Sequence, residues 1–190
     1  KGNSRKRVII EDLSPQVDCG RFPAKRTMGE KVDVTAGIFA DGHDLVDADL
    51  LYRASGEPSF RHVAMEALGN DRWRASFTAE RLGRYEFTVQ AWVDHFGTWR
   101  KDLEKKHVAG QDVSVDLKVG VELLRSLAGS VQAGQAQIIL RTAEGIEKKR
   151  DVKDVLAAVS EPDLAAAVRQ CLDPEAVSQY HTQLEIVVER

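Results

Sequence analysis

Only two cysteines, Cys19 and Cys171, occur in the 190 residues, far apart and outside any CxxC pair. That excludes a disulfide scaffold and fits reduced, intracellular thiols. No apolar run approaches the roughly 18 residues of a membrane-spanning helix. No signal-peptide pattern opens the chain, because Lys1-Gly2-Asn3-Ser4-Arg5 runs into a charged, strand-like stretch; a cytoplasmic location is the resulting expectation. A basic excess is missing too: 27 Lys and Arg stand against 30 Asp and Glu, a formal charge of −3. This argues against a dedicated nucleic-acid binder, and the short basic start, residues 1–6, reads as a solvated tail. Glycine-rich phosphate loops, HExxH, GxSxG and zinc-ligand spacings are all absent. No catalytic residue, metal ligand or cofactor is therefore expected within this chain, nor any internal repeat.

What is present is alternation. Val32, Val34, Ala36, Ile38 and Ala40 share one face, with Lys31, Asp33 and Thr35 opposite, as in a half-buried strand. Arg7 to Leu13 reads as a first strand that Pro15 ends; Gln16 to Arg26 reads as an irregular connection. Ala48, Leu50 and Tyr52 line another strand, and Phe60 to Leu68 is a weaker one with blurred alternation. Trp73, Ala75 and Phe77 face one way. Tyr85, Phe87, Val89, Ala91 and Val93 form the strongest apolar face in the chain, with Trp92 among the outward residues. Turn signals separate these strands about every ten residues, as in an antiparallel sandwich. The lack of intervening helix argues against βαβ units.

After Phe96 the period becomes helical. Leu117, Val121, Leu124, Leu127 and Val131 recur at spacings of three and four. Ile139, Ala143 and Ile146 continue the pattern, as do Val152, Val155, Leu156 and Val159. Ser160 is placed to cap a helix over Glu161 to Leu172, and Asp173-Pro174 stops it. Leu184, Ile186 and Val188 then alternate again. A lone strand needs a sheet for its backbone groups, so the helices read as an insertion into the sandwich. The expected fold is mainly β with an α insertion: an immunoglobulin-like antiparallel sandwich of about seven strands over residues 7–96 with 182–190, interrupted by a helical bundle at 97–181.

Several groupings invite a chemical reading. Asp94, His95 and Asp102 suggest acid–base chemistry, but no nucleophile or oxyanion-type loop accompanies them, and structural hydrogen bonding is the plainer role. Asp41-Gly42-His43-Asp44 offers ligand types without the glutamate of a calcium loop and reads as a turn. Cys19 with His62, and Cys171 with His181, are nucleophile–base types that nothing in the sequence brings together. Trp92, Phe96 and Trp99 are candidates for packing, for a subunit interface, or for stacking on sugar rings.

Four stretches carry a family resemblance: Val8–Arg26 (VIIEDLSPQVDCGRFPAKR), Phe39–Asp44 (FADGHD), Leu68–Phe77 (LGNDRWRASF) and Gly83–Lys106 (GRYEFTVQAWVDHFGTWRKDLEKK). In this ordered series the chain resembles the N-terminal region of the bacterial α-1,4-glucan:maltose-1-phosphate maltosyltransferases, of the α-amylase superfamily. The resemblance implies a β-sandwich interrupted by a helical bundle, preceding a (β/α)₈ catalytic barrel and contributing to a homodimer. It also implies an aspartate nucleophile and a glutamate acid/base in that barrel, downstream of Arg190. No catalytic residue carries over to this chain. The expected role is a non-catalytic scaffold whose partners are its own barrel and a second copy; the alternative is an α-glucan-binding module attached to the barrel. An independent enzyme built on Asp94, His95 and Asp102 is the third reading.

Overall fold

A computed structural model describes residues 8–42, 44–149 and 151–190; the basic tail at 1–6 and His43 lie outside the described residues. In chain order the elements are strands β1 (Val8–Ser14), β2 (Ala24–Thr27), β3 (Lys31–Ala40), β4 (Val46–Ala54), β5 (Arg61–Ala64), β6 (Glu66–Gly69), β7 (Arg72–Thr78) and β8 (Gly83–Val93). Helices α1 (His95–Val108), α2 (Ser114–Ala128), α3 (Ala133–Lys148), α4 (Val152–Val159) and α5 (Pro162–Arg169) follow, then β9 (Ser178–Gln179) and β10 (Leu184–Glu189). The fold is mainly β with helices. It divides into two compact units, one running through Val93 and from Glu175 to Arg190, the other spanning Asp94–Pro174.

The β unit has two sheets. One is ordered β1-β3-β7-β6; the other is ordered β2-β10-β8-β4-β5, with β9 also pairing with β8. Alternation sets the buried faces: Val32, Val34 and Ala36 of β3 are fully buried, as are Phe87, Val89 and Ala91 of β8. Both sheets contribute to one core, in which Val34 and Phe77 join Leu50, Phe87 and Ile186. Tyr52 of β4 stacks on Phe77 of β7 with centroids 4.4 Å apart and planes 13° apart, which ties sheet to sheet. Each such buried large side chain contributes on the order of 1.5–3 kcal/mol.

The sheets depart from the sequence expectation in four places. Among the described residues there are ten strands rather than about seven. Pairing is not wholly antiparallel, because β10 runs parallel to β2 with Ile186 opposite Ala24. That makes Ala24–Thr27, read as an irregular connection, an edge strand; its partner lies some 160 residues away, so no local signal marks it. The blurred stretch from Phe60 to Leu68 is two strands. β5 pairs with β4 in one sheet and β6 with β7 in the other. Met65 between them is buried, whereas β6 is exposed along its length, so no alternation runs through the pair. Finally Ser178–Gln179, read within the helical stretch, pairs with Gln90 and Ala91 of β8.

The closing strand does join the sheet: Leu184 to Val188 pair with Phe87 to Gly83. Close by, Gly20 has φ +83° and a Cβ there would lie 2.6 Å from Leu184 Cδ2. Only glycine meets both conditions without strain.

The helical unit has its own core of Leu103, Leu124, Ile139, Ala143, Ile146, Val155, Val159 and Leu164. These fall at the spacings of three and four that the sequence displays. One cap differs from expectation. Ser160 ends α4, its hydroxyl donating back to the Leu156 carbonyl at 2.7 Å, while Glu161 precedes α5 and Pro162 opens it. Proline suits the first helical position, where its missing N–H costs nothing.

Candidate functional site

The aromatic junction of the sequence resolves into two separate environments. Trp92, on β8 opposite Asp47, is only 4% exposed although it belongs to the polar side of the strand. Thr88 on the same side is fully buried, so β8 is covered on both faces along part of its length. Alternation says which side a residue faces, not whether that side meets water.

Phe96 and Trp99 build the start of the helical unit. Asp94 is the N-cap of α1, its carboxylate accepting from the Gly97 N–H at 2.9 Å. The Asp94 carbonyl also accepts from the Thr98 hydroxyl at 2.8 Å. Capping places Phe96 and Trp99 on the buried side of the first turn, their rings stacked with centroids 5.9 Å apart. The Trp99 indole N–H donates to the Asp116 carbonyl of α2 at 2.8 Å. Its ring lies against Gly120, where a Cβ would sit 2.8 Å from Cη2 and nearer still to Cζ2 and Cε2. Lys106 of α1 donates to the Asp116 carboxylate at 2.7 Å, a bond that holds the ammonium above the usual lysine range. The cluster is a helix–helix joint with its polar atoms satisfied.

The acid–base grouping does not assemble. Asp94 is committed to its cap, His95 at the first helical position is exposed, and Asp102 is exposed two turns further on. Seven residues of helix separate the last two by about 10 Å along the axis. Of the turn at 41–44, Asp41 and Gly42 form an exposed bend with Gly42 at φ +85°. Among the described residues no three His, Cys, Asp or Glu side chains gather as metal ligands.

The cysteines are no better placed for catalysis. Cys19 is exposed in the turn before β2, whereas the His62 imidazole on β5 sits 3.5 Å from the Asp49 carboxylate. Cys171 donates its S–H to the Ala167 carbonyl at 3.4 Å; burial pushes its thiol up from the ordinary range, the wrong direction for a nucleophile. His181 packs against Tyr180 with ring centres 4.2 Å apart and planes tilted by 45°.

Two concavities were not legible in the sequence. One, at an end of the β unit, is lined by Tyr52, Glu57, Thr78, Arg61, Arg81 and Tyr85. Glu57 lies 3.7 Å from both Arg61 and Arg81, and the Tyr85 hydroxyl accepts from the Arg81 N–H at 3.1 Å. With Glu80 also in the lining, two acids face two arginines, so it ties two turns together and offers no excess charge to a ligand. The other is an open groove between α3, α4 and α5, with Ile138, Ala157 and Ala158 beside Arg141, Asp154 and Glu161. Their residues are too far apart in sequence for spacing to reveal either.

Fold and residues together define a class first: a mainly β domain carrying a helical unit, with no assembled catalytic constellation among the described residues. The family described as alpha-1,4-glucan:maltose-1-phosphate maltosyltransferase, domain N/S, matches residues 6–190. A protein of that maltosyltransferase name from Chlorobaculum tepidum is 51% identical over 135 residues, covering 70% of this chain and 20% of the relative. One from Methylacidiphilum infernorum is 43% identical over 122 residues, 64% of this chain and 18% of the relative. Another from Myxococcus xanthus is 34% identical over 191 residues, 96% of this chain and 29% of the relative. The chain belongs to the α-1,4-glucan:maltose-1-phosphate maltosyltransferase N/S-domain family and corresponds to the N-terminal region of those proteins. It spans between about a fifth and under a third of the length of these relatives. No helix among the described residues is long and apolar enough to cross a membrane.

Proposed function

We propose that this chain is the non-catalytic N-terminal domain of a cytoplasmic maltosyltransferase that moves maltose from α-maltose-1-phosphate to α-1,4-glucans. Its role is to scaffold the enzyme's own catalytic barrel and to pair two subunits. The β unit serves as an immunoglobulin-like sandwich, and Asp94–Pro174 as its inserted helical bundle. The supporting observation is that the candidate catalytic groups do not come together: Asp94 caps α1, His95 and Asp102 are exposed two turns apart, and Cys171 donates to a helix carbonyl. Trp92, Phe96 and Trp99 act in packing within the chain. Subunit pairing draws support from the α1–α2 corner, where Val108, Val115 and Val119 are 81%, 72% and 50% exposed. Val115 and Val119 lie one helical turn apart on α2, and exposed apolar side chains sharing a face suit contact with another protein.

Two measurements test this. The isolated chain should release no phosphate from α-maltose-1-phosphate, and measurable release would overturn the non-catalytic role. Sedimentation of the full-length enzyme should show a dimer that Val115→Lys with Val119→Lys weakens; a dimer indifferent to both changes removes this corner from the interface.

An α-glucan-binding module is the second reading. Glucan binding by β-sandwiches uses exposed aromatic platforms, yet Trp92 and Trp99 are buried and Trp73 is half-buried against the core. Retention of the isolated chain on a maltodextrin column would favour this reading over the scaffold.

A further inference from the structure

The bend at Asp41-Gly42 takes no part in the scaffold role. We propose that Asp41 is a site of spontaneous covalent modification in the folded protein: the Gly42 amide nitrogen closes onto the Asp41 carboxyl, and the product is an isoaspartyl residue open to carboxyl methylation. The site is the same whether the chain serves as a scaffold or binds glucan.

Asp41-Gly42 is the only place in the chain where glycine follows an aspartate, and no Asn-Gly pair occurs. After every other aspartate comes a residue whose side chain crowds its own backbone nitrogen. The bend also stands outside the sheets. β3 ends at Ala40, paired with Val8, and β4 begins at Val46, paired with Val93; the connection passes from one sheet to the other. Asp41 and Gly42 are both exposed, and nothing lies within 4 Å of the place a Gly42 Cβ would take. Gly42 has φ +85°, a conformation natural to glycine.

Several other aspartates are held. Asp94 and Asp151 accept from the Gly97 and Lys153 N–H groups at helix starts, Asp112 accepts from Ser114, and Asp116 from Lys106. Among the described residues no hydrogen bond or ion pair engages the Asp41 carboxylate. The turn at Asn70-Asp71 is the closest comparison, with φ +51° and +61°. There the Asp71 carbonyl accepts from the Ile38 N–H at 2.8 Å, and the ladder resumes at Arg72 opposite Gly37. A side chain swings over the next backbone nitrogen only where neither is fixed.

The chemistry needs only water. The Gly42 nitrogen bonds to Asp41 Cγ, and the carboxyl hydroxyl leaves as water with the amide proton. Water then opens the cyclic imide. Cleavage of the N–Cγ bond restores aspartate. Cleavage between the nitrogen and the backbone carbonyl carbon leaves the chain running through Cβ and Cγ, with a free carboxylate on Cα. The main chain gains one carbon and the composition is unchanged. Since the bend lies outside both ladders, neither sheet loses a backbone pair, and the altered residue stays accessible on a surface connection. The partner class is a methyltransferase that esterifies this carboxylate, moving a methyl from the sulfonium of S-adenosylmethionine to oxygen and leaving a thioether.

Ageing the folded full-length enzyme at neutral pH and physiological temperature, then labelling it with isoaspartyl methyltransferase and radioactive S-adenosylmethionine, reads the product. Electron-transfer fragmentation of the peptides, which cleaves isoaspartate at its Cα–Cβ bond, assigns the residue. Label should rise with time and stand several-fold higher at Asp41 than at any other aspartate of residues 1–190. Asp41→Glu should lose it, because the longer side chain closes a larger ring more slowly. Asp41→Asn should gain it faster, with loss of ammonia in place of water, and shows that the bend permits closure. Label spread evenly over the aspartates would overturn the proposal, as would an Asp41 that reacts only after denaturation in urea. Either result leaves the scaffold reading standing.

Discussion

Replacing Gly120 by alanine tests the helix–helix joint because two effects of opposite sign compete there. Gly120 lies inside α2, where alanine is normally better than glycine by about 0.8–1 kcal/mol. Propensity alone therefore predicts stabilisation. Geometry predicts the reverse. The new methyl would meet the Trp99 ring at three atoms, 2.8 Å from the farthest of them, well inside contact distance. Trp99 has little room to retreat: it is 9% exposed, stacked on Phe96 and bonded to the Asp116 carbonyl at 2.8 Å. Overpacking of this kind costs about 1–3 kcal/mol, and a retreat that breaks the indole hydrogen bond adds about 1. Subtracting the propensity gain leaves a net loss of about 1–3 kcal/mol. Urea unfolding followed by far-ultraviolet circular dichroism and tryptophan fluorescence measures it. The same change in a Trp99→Leu background should become neutral or stabilising, a coupling of about 2 kcal/mol in the double-mutant cycle. A Gly120→Ala protein more stable than its parent would refute the joint.

Three further outcomes follow from the same structure. Gly20→Ala should destabilise the β unit by about 2–3 kcal/mol in chemical denaturation, since it adds left-handed strain of about 1–2 kcal/mol to a clash with the buried Leu184 side chain. Asp94→Ala should cost about 1 kcal/mol through the lost cap, while Asp94→Asn retains most of that stability in the same melt. Alkylation with iodoacetamide near neutral pH, followed by mass spectrometry, should modify exposed Cys19 before Cys171. Burial raises the Cys171 pKa, which keeps it a thiol through neutral pH and delays its reaction until the pH is higher.

Sequence by itself determined the elements whose cause is local. The alternation of β3, β4, β7 and β8 fixed their buried faces, because side chains in a strand repeat every two residues. The change of period after Phe96 marked the helices, and Leu184, Ile186 and Val188 demanded a sheet. The ordered stretches at Val8–Arg26 and Gly83–Lys106 carried the family. Only the tertiary structure decided what depends on distant partners. β2 exists because β10 lies beside it, and Phe60 to Leu68 divides because Met65 crosses between sheets. Trp92 is buried because both faces of its strand are covered. Asp94 is taken up by the cap of α1, and two turns of helix set His95 and Asp102 about 10 Å apart along the axis. Local spacing encodes which face a side chain takes; the packed chain alone settles what covers that face.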